Sequence, residues 1–200
     1  MKKILHIISS PRGAESFSIK LGNQIIEKLK ATYPGSTVKE RNLVKEQFPA
    51  LEEAHLTSFF TPVEKRTPES VEAARHSEEA IAELMDADII VIGAPMYNFS
   101  IHASLKAWID HIVRVGLTFK YDENGPEGLI KNKKLYIAMS SGGIYTEGPM
   151  QPNDFVVPYL KFMLGFVGLT DIEVYRAEGL SIPVVQDTAL EKAFNSVVIN

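Results

Sequence analysis

"ADIIVIGAPMYNFS", residues 87–100, decides the fold. Ile89 to Ile92 form an unbroken apolar run, bounded by Asp88 and Gly93. It is too short for a buried helix and lacks the alternation of a half-solvated strand. Such a run reads as a strand covered on both faces, the situation inside a parallel sheet sandwiched by helices. Its exit is unusual. Pro95, Met96, Tyr97, Asn98 and Phe99 follow at once, and open parallel sheets bind ligands beyond the carboxyl ends of their strands.

Outward from this strand the pattern repeats. "KILHII" (3–8), "TVKERNL" (37–43), "KLYIAM" (134–139) and "DIEVYRA" (171–177) read as further strands. Helical periodicity occupies 18–33, 68–87, 101–115, 154–167 and 187–195, with Pro68 suited to a first helical turn. Residues 44–67 are irregular, with a short helix near 51–58, and "TFKYDENGPEG" (118–128) reads as a loop. Strand alternating with helix predicts one α/β domain over residues 1–200, a parallel sheet with helices on both faces.

Composition narrows the function. A net charge of −4 and a pI near 5.8 disfavour nucleic acid or an anionic membrane as partner. Zero cysteines remove disulfides, thiolate metal sites and thiol nucleophiles, and fit a reducing, cytoplasmic setting. The start, "MKKILHII", is better read as a strand than as a signal peptide, because its apolar stretch is short and ends in "SSPRG". The histidines at 6, 55, 76, 102 and 111 show no metal-ligand spacing and read as structural or solvated, so no metal is expected.

Three strand exits carry the candidate chemistry: "SSPRGAESFS" (9–18), "APMYNFS" (94–100) and "SSGG" (140–143). Ser10, Ser16 and Ser18 with the opening amides of a helix can cradle a phosphate, assisted by Arg12. The plainer reading is that Ser16 or Ser18 caps that helix. No GxxxxGK[ST], GxGxxG or GxSxG occurs, which argues against a nucleoside triphosphatase, a dinucleotide fold and a serine hydrolase. A signalling receiver would need aspartates where the first strand ends in "HIISS".

A flat ring needs apolar contact on a face and backbone donors along its edge. Met96 offers a polarizable thioether and Pro95 fixes the turn, while Tyr97, Asn98 and Phe99 are expected to present free N–H groups. Gly142 and Gly143 would let backbone approach the far edge without a Cβ between. Phosphate at one exit and a ring between two others describe a mononucleotide, with flavin mononucleotide (FMN) fitting better than an adenine nucleotide. The apolar stripe of 101–115, centred on Trp108, is divided between core and a dimer interface in a way the sequence leaves open.

Together with "TFKYDENGPEGL", "SSGGIYTEGP" and "PYLKFMLGFVGLTD", these motifs resemble the FMN-dependent NADH-azoreductases of the flavodoxin-like quinone reductase superfamily, over nearly the whole chain. The resemblance implies a flavodoxin-like three-layer sandwich with strand order 2-1-3-4-5. It implies a homodimer with tightly bound FMN at each interfacial site, and ping-pong reduction of quinones and azo compounds by NADH. It places phosphate and ribityl contacts on Ser10, Ser16, Phe17 and Ser18. Ring contacts fall on Pro95, Met96, Tyr97, Asn98, Phe99, Ser140, Ser141, Gly142 and Gly143. Asn98 and Tyr145 become supporting groups, and Tyr121, Phe162 and Met163 pocket residues. Some relatives carry histidine where this chain has Tyr145 and arginine where it has Ser141. The competing reading is an electron carrier of the flavodoxin type.

Overall fold

A computed structural model describes residues 1–199. The strands β1 (Lys3–Ile8), β2 (Thr37–Asn42), β3 (Ile89–Pro95), β6 (Lys134–Ser140) and β7 (Asp171–Ala177) form one sheet in the order β2-β1-β3-β6-β7, every pairing parallel. Counting only these five, the order is the expected 2-1-3-4-5. The intervening labels belong to a separate antiparallel hairpin, β4 (Phe119–Asp122) and β5 (Gly125–Gly128). That hairpin corrects the expectation of a loop over 118–128. Each arm spans four residues and one contains Pro126, so neither shows a strand period of useful length. Gly128 is obligatory there: a Cβ would lie 2.2 Å from the backbone nitrogen of Gly168, where the hairpin docks.

Side chains alternate across the sheet as the pleat demands. Ile90, Ile92, Leu135, Ile137 and Met139 enter one core, together with Leu5 and Ile7. That core is closed by α3 (Pro68–Asp86), α4 (Ala103–Ile112) and α5 (Val157–Phe166). Ile4, Ile89, Val91, Tyr136 and Ala138 enter the opposite core, under α1 (Phe17–Thr32) and α6 (Gln186–Ser196). His6 faces α1 as well; Gly22 makes room for it, since a Cβ would lie 2.8 Å from His6 Nε2.

The stripe on α4 is settled by burial. Leu105, Trp108, Ile109 and Ile112 are all fully enclosed within the single chain, so Trp108 belongs to the core. Helix α4 is also shorter than the predicted 101–115, because His102 caps its start and Thr118 Oγ1 accepts from the Arg114 amide as the chain turns away. Residues 44–67 contain one helix, α2 (Glu53–Phe60), and a single 3-10 turn at Val63–Lys65. No helix among the described residues is long and apolar enough to cross a membrane.

Candidate functional site

The exits of β1, β3 and β6 converge on a cleft of about 320 Å³. Ser10, Ser16 and Phe17 line it from the first loop, Pro95, Met96 and Tyr97 from the second, and Ser140, Ser141 and Gly142 from the third. Among the described residues no carboxylate and no histidine lines it. A larger groove, about 570 Å³, runs between β2 and α3, but its charged groups already satisfy one another: Glu83 pairs with Lys39 at 2.9 Å and with Arg41. The groove is therefore a saturated ion-pair surface, and the smaller cleft is the better site.

The first loop does two jobs. Ser16 is the N-cap of α1, its Oγ accepting from the Ile19 amide at 3.3 Å, so the plainer reading holds for that residue. The same Oγ lies 3.0 Å from Ser18 Oγ, and Ser10, Ser16 and Ser18 are all buried at the helix entrance. Arg12 reaches over the Phe17 ring at 5.8 Å, with Lys20 at 5.4 Å on the same ring. Hydroxyls, the positive end of a sixteen-residue helix and the Arg12 guanidinium, which has no ion-pair partner among the described residues, come together at this loop. This set suits a phosphate.

The second loop turns on itself. Tyr97 N–H donates to Ser100 O at 2.9 Å and Ser100 N–H returns the bond to Tyr97 O at 3.0 Å. Between them Asn98 and Phe99 both adopt positive φ, 48° and 68°, a two-residue turn of the primed type. The expectation of a free Tyr97 amide is corrected: the turn consumes it, and Met96 N–H is spent on Ser140 O. The amides of Asn98 and Phe99 have no hydrogen-bond partner among the described residues. Phe99 is 45% exposed and holds a backbone shape that bulky residues avoid, the kind of strain that gathers at sites.

The third loop is held from behind by residues 177–181 at the exit of β7, which carry none of the predicted site residues. Ser141 N–H donates to Ala177 O, while Gly179, Leu180 and Ser181 donate to the carbonyls of Gly143, Ser141 and Gly142. A Cβ on Gly142 would lie 2.7 Å from Ser181 Oγ, so this glycine is required by close packing within the chain as well. Leu180 and Ser181 also line the cleft. Their signal lies in "AEGLS" after β7, one of the two strand exits, with that of β2, outside the three compared.

Not every predicted residue meets there. Ser18 lies beneath the floor, and Asn98, Phe99 and Gly143 sit outside the lining set. Tyr145 packs edge-on to Phe99 with centroids 6.3 Å apart, which ties the second and third loops together. Tyr121 is on the hairpin, largely exposed, with its ring against Phe119. Phe162 is 69% exposed on α5, whereas Met163 packs toward the core. Within one chain these three residues do not reach the cleft.

The histidines also produce a surprise. His55, His76 and His111, scattered in sequence, gather behind α2, α3 and α4, with His111 5.3 Å from His55 and 6.5 Å from His76 between ring centroids. Among the described residues no group of three or more histidines and carboxylates is arranged to hold a metal ion. Burial lowers the pKa of both His111 and His76, and pushes His6 down to about 4.

Comparison with known proteins agrees with this architecture. Residues 2–198 match the family model described as flavodoxin-like fold. The chain is 48% identical, over 98% of its length and 97% of the relative's, to an FMN-dependent NADH:quinone oxidoreductase of Herminiimonas arsenicoxydans. It is 47% identical to the protein of that name in Aromatoleum aromaticum, over 96% and 93% of the two chains. Among solved structures it resembles an azoreductase from Bacillus anthracis (TM-score 0.90, 31% identity, 98% and 96% of the two chains). An FMN-dependent NADH-azoreductase of the same species, in complex with FMN, superposes with a TM-score of 0.86 at 28% identity, over 98% and 97%.

Proposed function

The chain belongs to the flavodoxin-like fold family, and from that premise we propose that it is an FMN-dependent oxidoreductase taking electrons from NADH and passing them to quinones and aromatic azo compounds. The observation that carries the reading is the cleft itself. Hydroxyls and a helix N-terminus lie at one end, glycine and serine of the third loop at the other, with the unpartnered Asn98 and Phe99 amides on the adjoining turn, and among the described residues no carboxylate lines the cleft. That is the donor set a phosphorylated planar ring requires, and it fits FMN.

Ser10 and Ser16 hold the phosphate end, with Arg12 and the first amides of α1 offsetting its charge, while Ser18 supports Ser16 from beneath through its hydroxyl. Met96 supplies polarizable contact beside the ring. The amides of Asn98 and Phe99, unpartnered among the described residues and fixed by the turn beside the cleft, together with the backbone at Gly142, are the donors that would serve a ring edge. Fixed donors cost no reorganisation when charge develops, which is how such sites stabilise a transition state. FMN, when bound, supplies the hydride-accepting chemistry, so the chain needs no strong acid or base of its own. The absence of carboxylate and imidazole from the cleft lining matches that division of labour.

We further infer that the chain works as a homodimer. Phe155 and Phe162 are 56% and 69% exposed, and an apolar groove of about 480 Å³ lies between Ile101, Ala103, Phe155 and Tyr159. A second copy seated on this face would bury both rings and bring Phe162 toward the neighbouring site. Sedimentation equilibrium tests it: a monomer at micromolar concentration would end the dimer reading.

The visible spectrum of the purified protein tests the main proposal. Flavin bands that bleach on adding NADH alone, and return with a quinone, are the expected result. Bands that bleach only with a partner reductase would point to the electron-carrier reading. A colourless protein that refuses added FMN would overturn both.

A further inference from the structure

Along β7 the pleat directs Ile172 and Val174 toward the α5 side of the sheet, so an apolar residue is expected two positions further on. The residue there is Arg176, and its side chain is only 18% exposed. Burying a guanidinium is costly unless it is fully paired. It is paired twice. Nη2 donates to Asp154 Oδ2 at 2.6 Å and Nη1 to Glu178 Oε1 at 3.2 Å, and both carboxylates are themselves enclosed, at 6% and 10% exposure.

Each carboxylate holds a different part of the rim. Glu178 accepts from the Tyr145 amide at 3.0 Å and from Thr146 Oγ1 at 2.6 Å, which pins the stretch after Gly143. Asp154 Oδ1 accepts from the amides of Val156 and Val157 at 2.9 and 3.1 Å, which pins the entrance of α5. Between Asp154 and Val156, Phe155 N–H donates to Phe99 O at 3.1 Å and so reaches the strained turn of the second loop. One guanidinium therefore links the Tyr145 stretch and the Phe99 turn, the two segments whose rings meet edge-on beside the second and third loops.

We propose that Arg176 is a positioning residue for the oxidoreductase reaction, locking the Tyr145 and Phe99 segments in register so that the cleft mouth keeps one shape. The proposal rests on the function inferred above, but its first test does not. Removing the cation leaves two enclosed carboxylates with no counter-charge, so both loops should loosen while the sheet stays intact. The variant R176M suits the test, because its unbranched side chain fills the stem's place beside Met139 without the charge.

Amide hydrogen exchange on the cofactor-free chain is the primary measurement. In R176M, exchange at Tyr145, Phe155, Val156 and Val157 should accelerate about tenfold or more, with Ile90–Ile92 unchanged. With FMN saturating, kcat for quinone reduction should fall about tenfold while the quinone KM stays within twofold, the split expected when geometry rather than ground-state binding is lost. R176K keeps the cation but lacks the fork that spans both carboxylates. It should protect one segment and release the other, and it carries the test alone if R176M does not fold. Wild-type exchange at all four amides in R176M, or wild-type protection of both segments in R176K, would overturn the proposal, as would a rise in KM at unchanged kcat. A wild-type protein that binds no FMN would instead remove the functional reading, and the exchange result would still decide what Arg176 holds.

Discussion

The cleft at the strand exits and the histidine cluster behind α2, α3 and α4 are opposites. Among the described residues the cleft is lined by hydroxyls, glycine and apolar side chains, with Arg12 as its cation and no acid or imidazole. The cluster holds three imidazoles, two phenyl rings and Arg114, whose guanidinium lies 3.9 Å over Phe59. Judged by titratable side chains alone, the cluster would be taken for the active site. It is built as a plug. His111 Nε2 donates to Pro49 O at 3.0 Å, Ser77 Oγ donates to His111 O at 2.5 Å, and Arg114 donates to Ser77 Oγ and to Phe59 O. These bonds fasten the 44–60 connection to the helices. On the proposed function, the difference teaches that a redox cofactor would move the demand for reactivity off the chain, leaving the site to fixed dipoles while the ionisable residues do structural work.

The largest expected effect separates two roles inside the cleft. Aspartate is as good an N-cap as serine, so S16D should keep the bond from Ile19 N–H and leave the melting temperature of the cofactor-free chain nearly unchanged. A carboxylate roughly 4 Å from a phosphate costs about 4 kcal/mol at an intermediate dielectric, so FMN affinity should fall roughly a thousandfold. Titration of flavin fluorescence reads this directly. Affinity equal to wild type would mean that Ser16 caps α1 and does nothing more.

The next effect belongs to the histidines and should spare the cleft. Burial lowers the folded-state pKa of His6 to about 4, and those of His76 and His111 in the same direction. Below the ordinary value near 6.5 the unfolded chain then binds more protons than the folded one, so stability is complete above that pH and declines as the pH falls toward 4. For His6 alone the loss should reach about 3 kcal/mol by the end of that window. Urea midpoints between pH 7.5 and pH 4 measure the loss, and H6L should flatten part of the slope. A stability that does not change across this range would show that the buried imidazoles are hydrated.

How much of this was legible beforehand follows from the kind of force involved. The sheet was readable because β3 and β6 carry continuous apolar runs that only a doubly covered strand tolerates, and the helices between them have ordinary periods. Three exit loops were readable because serine, glycine and proline name their own backbone roles. The hairpin at 119–128 was hidden by its shortness, although Asn124-Gly125 is a hairpin signal. Leu180, Ser181 and Arg176 were hidden because strand order does not say which side chains and amides meet between neighbouring exits, and their roles rest on those contacts. The gathering of His55, His76 and His111 was hidden for the same reason: spacing rules see one element at a time, and these residues come from three.

The smallest effect probes the strained turn, where site and scaffold compete. A primed two-residue turn prefers glycine at its second position, and Phe99 occupies it with φ 68°. Left-handed backbone costs a residue bearing a Cβ about 1 kcal/mol or more, while glycine's greater freedom in the unfolded chain returns part of that gain. F99G should therefore raise stability by about 0.5 kcal/mol, roughly one or two degrees in melting temperature for a chain of this size. The same change removes a half-exposed ring that packs on Tyr145 at the cleft mouth, so FMN affinity should drop several-fold. Stability and affinity moving in opposite directions would show that the turn is strained for the sake of the site. If both fall together, Phe99 belongs to the scaffold, and the contrast between reactive cleft and structural plug loses its clearest case.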